Sequence, residues 1–79
     1  MWVMSSDGKN LIDARYFHVA RNIGGKAGEK FALQAFSAAA GVQSGYVCAL
    51  FADEEKAVAE LEKILAAIES GVKVYKISK

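Results

Sequence analysis

Apolar residues recur at steps of three and four between residues 53 and 71, in the segment DEEKAVAELEKILAAIESG. Asp53 can accept hydrogen bonds from the first free amides of a helix, and Gly71 can adopt the left-handed conformation that ends many helices. The pattern therefore predicts one amphipathic helix with a cap at each end. The residues that share its apolar stripe are Ala57, Val58, Leu61, Ile64, Leu65 and Ile68.

Elsewhere apolar residues tend to alternate with a period of two, which is typical of strands. The predicted strands cover residues 2–4, 11–12, 16–23, 30–38, 46–51 and 72–77. Asp7-Gly8 is a strong hairpin signal between the first two strands, residues 13–15 are predicted to turn the chain, and residues 39–45 to form a later connection. The lysines of the last strand favour an edge position.

The fold class that follows is α+β, in a single domain of residues 1–79. We expect an antiparallel sheet, a meander of about five strands, packed by one amphipathic helix near the C-terminus and followed by a last strand.

The chain has more apolar residues than one small core needs. It is 53% hydrophobic, whereas about 45–50% is usual. Residues 31–36 and 46–51 carry apolar side chains on both strand faces, and one helix covers only one face of a sheet. The second face then meets another copy or a partner protein, or the sheet curves strongly and packs against itself. We expect a homo-oligomer, most simply a two-fold dimer, with the candidate interface residues Phe31, Leu33, Phe36, Val47 and Phe51.

The charge balance argues against strongly charged partners. The net charge is +1, which gives little attraction to phosphate or to a lipid surface. Four basic residues near aromatic side chains leave nucleic-acid binding as an alternative: Arg15, Arg21, Lys26 and Lys30. No membrane association and no signal peptide are expected, and a single cysteine, Cys48, fits a reducing cytoplasm.

None of the residues with reactive side chains forms a recognisable catalytic or metal-binding motif. His18 is the only histidine and lacks a local partner for general base chemistry. Cys48 alternates with apolar residues, which favours a buried structural role. The glycine-rich loop of residues 24–29 lacks the spacing of a phosphate-binding loop. We therefore expect a non-catalytic chain with no cofactor and no metal.

Two segments carry a resemblance to known proteins: the opening MWVMSSDGKNLIDARYFHVAR and the later GYVCALFADEEKAVAELEKILAAIESGVKVYKIS. Together they resemble a set of small uncharacterised bacterial and phage-associated proteins, from which the chain departs in its longer, alanine-rich central strand and loop. The resemblance implies an antiparallel meander covered by a helix and says nothing about activity. The function we expect is a self-associating interaction module of bacterial or phage origin. The alternative is a nucleic-acid-binding regulator of a mobile element.

Overall fold

The computed structural model describes residues 1–37 and 45–77, in which one sheet packs against one helix. This arrangement confirms the predicted α+β class. In chain order the elements are β1 (Trp2–Met4), β2 (Leu11–Arg21), β3 (Phe31–Ser37), β4 (Tyr46–Phe51), α1 (Glu54–Glu69) and β5 (Val74–Lys76). The strands lie in the order β4-β3-β2-β1-β5.

Strand β2 is continuous, so the predicted brief strand at residues 11–12 and the turn at residues 13–15 are wrong. Asp13 lies opposite Trp2 of β1, while the part of β2 from Tyr16 onwards pairs with β3. The register shifts between Ala14 and Tyr16. A bulge of this kind takes up one extra residue and bends a strand without ending it. Strand β2 can therefore pair with β1 before the bulge and with β3 after it.

Strand β5 pairs with β1 in parallel, with Trp2 opposite Val74 and Met4 opposite Lys76. The sheet is therefore mixed, and the prediction of an antiparallel sheet is wrong for this pair. The reason is the helix, which carries the chain back from the end of β4 so that β5 runs in the same direction as β1. The predicted edge position of the last strand is confirmed, because β5 ends the strand order.

The predicted turn at Asp7-Gly8 is confirmed. Gly8 has a φ of 74°, a conformation that favours glycine. The Asp7 carboxylate accepts hydrogen bonds from the Ser5 hydroxyl at 2.6 Å and from the Lys9 amide at 2.9 Å. These bonds, the one from Ser5 first, lower the pKa of Asp7. The same turn donates from the Ser6 amide to the Cys48 carbonyl of β4 at 2.8 Å.

That last hydrogen bond joins the β1–β2 hairpin to β4, although two strands separate β1 from β4 in the sheet order. The sheet must curve strongly for the two to meet, as the alternative from the sequence proposed. The curved sheet encloses a core that includes Val3, Leu33 and Cys48, all at most 2% exposed. The predicted connection at residues 39–45 lies outside the described residues except for Gly45, as does residue 38.

Both predicted helix caps are confirmed. The Asp53 carboxylate accepts a hydrogen bond from the Lys56 amide at 2.9 Å. Gly71 has a φ of 77° and donates its amide to the Ile68 carbonyl at 3.0 Å, so the chain leaves the helix in the left-handed conformation. The helix therefore begins and ends where the sequence predicted.

Candidate interaction surface

Helix α1 buries only part of the apolar stripe that the sequence predicted to share one face. The line that docks on the sheet contains Ala57, Glu60 and Ile64, all at most 4% exposed. Val58, Leu65 and Ile68 are 39%, 55% and 48% exposed. Together with half-buried Leu61 we call these residues the apolar flank. The helix is thus rotated so that a glutamate occupies a core position while larger apolar side chains face outwards.

The buried glutamate is paired with a tyrosine from β5. The Tyr75 hydroxyl donates a hydrogen bond of 2.5 Å to Oε2 of Glu60. A carboxylate at this depth costs several kcal/mol unless such a partner is present. The bond therefore holds α1 in its rotation and ties the helix to the edge strand of the sheet.

The same pair changes the acidity of the tyrosine. Burial, followed by the hydrogen bond and the negative charge of Glu60, raises the pKa of Tyr75 from 10.0 to about 12. The neutral hydroxyl, which is the form that donates to Glu60, is therefore favoured over the whole neutral range.

Beside the apolar flank, a groove of about 360 Å³ runs between α1 and the middle of β2. Its lining is mostly apolar and carries one charge of each sign. The residues that line it are Arg15, Tyr16, Phe17, Leu61, Glu62, Ile64, Leu65 and Ile68. The groove and the flank form one continuous surface, which is the best candidate for an interaction site.

The interface residues expected from the sequence do not form one surface. Leu33 and Phe51 are 0% and 6% exposed, because they lie in the chain's own core. Phe31 is half-buried against that core. A surface for a partner therefore leaves out Leu33 and Phe51, and the sequence analysis missed the exposed flank of the helix.

The remaining two expected interface residues lie on the outer face of the sheet. Phe36 stacks on Tyr16, with ring centroids 4.4 Å apart and planes 3° from parallel. The Phe36 ring also covers Gly45, where an added Cβ would lie 2.7 Å from the ring. Val47 is 48% exposed. Part of the second apolar face is thus covered by the chain's own aromatic side chains.

Three of the four basic residues considered for nucleic-acid binding lie around the connection between β2 and β3. Arg21 and Lys30 line a cleft near the start of α1, and the Lys30 ammonium donates to the Gly25 carbonyl at 2.8 Å, next in sequence to exposed Lys26. Arg15 lies apart from them in the middle of β2, where it lines the groove together with Glu62. The structure therefore does not bring all four together.

His18 and Cys48 are separated in the fold. His18 is exposed on β2, opposite Gln34, whereas Cys48 is buried on β4, on the far side of β3. Burial raises the pKa of the Cys48 thiol to about 11, so it stays neutral and a poor nucleophile at neutral pH. Within residues 1–37 and 45–77, no group of acidic, histidine or cysteine side chains is placed to hold a metal ion.

Among the described residues no helix has the length and apolar character needed to cross a membrane. Comparison with known proteins finds no relative: no family model, no curated protein and no solved structure matches the chain. The resemblance to small bacterial and phage-associated proteins therefore stays a prediction.

Replacing Tyr75 with phenylalanine removes the only hydroxyl that donates to Glu60 among the described residues. We expect the free energy of unfolding at pH 7 to fall by about 1–3 kcal/mol, because a buried acceptor loses its partner. Urea denaturation followed by circular dichroism measures this change. Tyr46→Phe is the matched control, since Tyr46 is 52% exposed, and equal losses in the two variants would contradict the pairing.

The raised pKa of Tyr75 also predicts a pH dependence. In the unfolded chain the hydroxyl titrates near its ordinary value of 10.0, and in the folded chain near 12. The stabilisation is therefore complete below about pH 10 and is lost as the pH rises towards 12. The urea midpoint, measured across this pH range, should fall more steeply for the native chain than for Tyr75→Phe. Parallel curves of midpoint against pH would contradict the raised pKa.

Proposed function

We propose that the chain is a non-catalytic interaction module that associates with itself, most simply as a two-fold dimer. The observation that carries the proposal is the apolar flank of α1, where Leu65 and Ile68 are 55% and 48% exposed beside an apolar groove. A contiguous exposed apolar patch on a small domain usually marks a site of protein association. We therefore expect a second folded chain to bind here and cover the patch.

The charges around the groove fit a protein partner better than nucleic acid. Arg15 and Glu62 carry opposite charges and line the same groove, so the surface has no excess of positive charge there. Nucleic-acid affinity depends largely on neutralising phosphates with several basic side chains. An apolar surface with balanced charges at its border instead resembles the core and rim of a protein interface.

Light scattering coupled to size exclusion tests the proposal. At several hundred micromolar we expect twice the mass of one chain, falling towards the single-chain mass on dilution. Leu65→Lys should remain a single chain at every concentration, because it places a charge at the centre of the apolar flank. Lysine is compatible with the helix at this position, where Glu62 and Glu69 lie three and four residues away.

Val47→Lys is the matched control, because Val47 is an apolar residue of similar exposure, 48% against 55% for Leu65, but lies on β4 away from the flank. It should form the dimer like the native chain. A native chain that keeps the single-chain mass near millimolar concentration would overturn the proposal. A dimer that is lost in Val47→Lys and kept in Leu65→Lys would move the interface to the outer face of the sheet.

A further inference from the structure

Beyond Ala14, strand β2 has one edge that no described residue pairs with. The Ala14 amide donates to the Met1 carbonyl at 2.9 Å, which shows that Ala14 faces β1. The Asn22 amide donates to the Lys30 carbonyl at 2.7 Å, so the even-numbered residues at the other end of β2 face β3. The bulge at Arg15 exchanges which residues point to which side of β2. After the bulge, Phe17 and Val19 therefore direct their amides and carbonyls away from β3, to the side on which β1 pairs with the first residues of the strand.

These backbone groups form a short strand edge. In the described parts of the chain no hydrogen-bond partner is found for the backbone of Phe17 or Val19 on that side. An unpaired edge is a template for pairing with another strand unless a protein protects it. Arg15 and Arg21 flank this edge, but Phe17, His18 and Val19 between them carry no permanent charge that would discourage pairing.

The unpaired edge and the apolar flank lie beside one another. Asp53, just before α1, shares a cleft with Arg21 at the end of β2, while Ile68 near the helix end shares the groove with Arg15. The helix therefore runs antiparallel to β2 along its unpaired half. The flank from Val58 to Ile68 extends over about 15 Å, and so spans most of the roughly 20 Å of strand from Arg15 to Arg21.

We infer that a second copy of this chain pairs its own β2 with this edge, so that one sheet continues through both copies. The inference rests on the proposed self-association and specifies its geometry. A two-fold axis perpendicular to the sheet brings the two β2 strands together antiparallel. It also keeps both helices on the same face, with their apolar flanks towards each other. This single two-fold rotation therefore gives hydrogen-bond partners to the backbone groups of Phe17 and Val19 and also covers Leu65 and Ile68.

The pairing is centred on Val19. In a symmetric antiparallel pair the unpaired positions must meet one another, which allows pairs centred on residue 17, 18 or 19. A centre at Phe17 sets the partner's Arg21 beside Asp13, where β1 already pairs with β2 through Trp2. A centre at His18 sets Arg15 opposite the partner's Arg21, and like charges directly opposite are destabilising. A centre at Val19 sets Phe17 opposite the partner's Arg21 and brings Arg15 near the partner's Ile23. It avoids the arginine pair and covers Ile23, which is 91% exposed.

Amide hydrogen exchange, measured by NMR on the native chain at high and low concentration, tests the pairing. The Phe17 and Val19 amides should exchange at least about tenfold more slowly at the concentration where light scattering gives the dimer mass. The amides of His18 and Ala20 face β3 and should be protected at both concentrations, so neighbouring residues provide the control. In Leu65→Lys, the Phe17 and Val19 amides should exchange at the dilute rate throughout.

The outcomes separate the two proposals. A dimer mass without added protection of Phe17 and Val19 would overturn the edge pairing and leave self-association standing. A single-chain mass with fast exchange at both positions would overturn both, and would leave the edge to a strand from a different protein. Should Leu65→Lys fail to fold, the dilution series of the native chain still gives the decisive comparison.

Discussion

The arrangement of this chain depends on one buried polar contact, the hydrogen bond from Tyr75 to Glu60. A helix with a continuous apolar stripe would ordinarily turn that stripe to the sheet. Here Glu60 lies on the docked side, and Ala57, at 0% exposure, lets the helix approach the strands closely. The tyrosine makes this rotation tolerable by satisfying the carboxylate. The consequence is that Val58, Leu65 and Ile68 remain at the surface.

The curvature of the sheet buries many of the apolar side chains that the sequence contains, but not all of them. The contact between Ser6 and Cys48 draws β4 towards the first hairpin, and small residues such as Ala35 and Ala49 line the enclosed core. On the outer face, Phe36 stacks on Tyr16 and covers Gly45. The outer face of the sheet therefore exposes less apolar surface to a partner than the sequence predicted. A continuous part of the uncovered apolar surface lies along the helix, where Leu65 and Ile68 are exposed.

Local signals predicted the elements whose physics is local. Asp53 and Gly71 bound the helix because capping depends on the residues beside the helix ends. Asp7-Gly8 forms the hairpin because the turn depends on a positive φ and on a nearby carboxylate. The strands at residues 46–51 and 2–4 were predicted at their observed bounds for a similar reason, since runs of apolar and β-branched residues favour extended structure.

The features that define the candidate site depend on contacts distant in sequence. The sequence predicts a turn at Asp13 because the pairing of this residue with Trp2 on the neighbouring strand cannot be recognised from the sequence. The parallel pairing of β5 depends on where the helix returns the chain. The predicted apolar stripe leaves out Glu60, although its place three residues after Ala57 and four before Ile64 puts it on the same side of the helix as these two residues. Only Tyr75, fifteen residues later, explains how it can be buried there.

The rotation of α1 in the single chain is the claim on which the rest depends, and two isoleucines four residues apart test it. Ile64 is 1% exposed and Ile68 is 48% exposed. With isoleucine methyl groups labelled for NMR, a soluble paramagnetic reagent at low micromolar protein should broaden the Ile68 signal and spare Ile64, and near-millimolar protein should shield Ile68 as well. An Ile68 methyl as well shielded as Ile64 at the lowest concentration would contradict the rotation, and one that stays exposed at the highest would contradict the association.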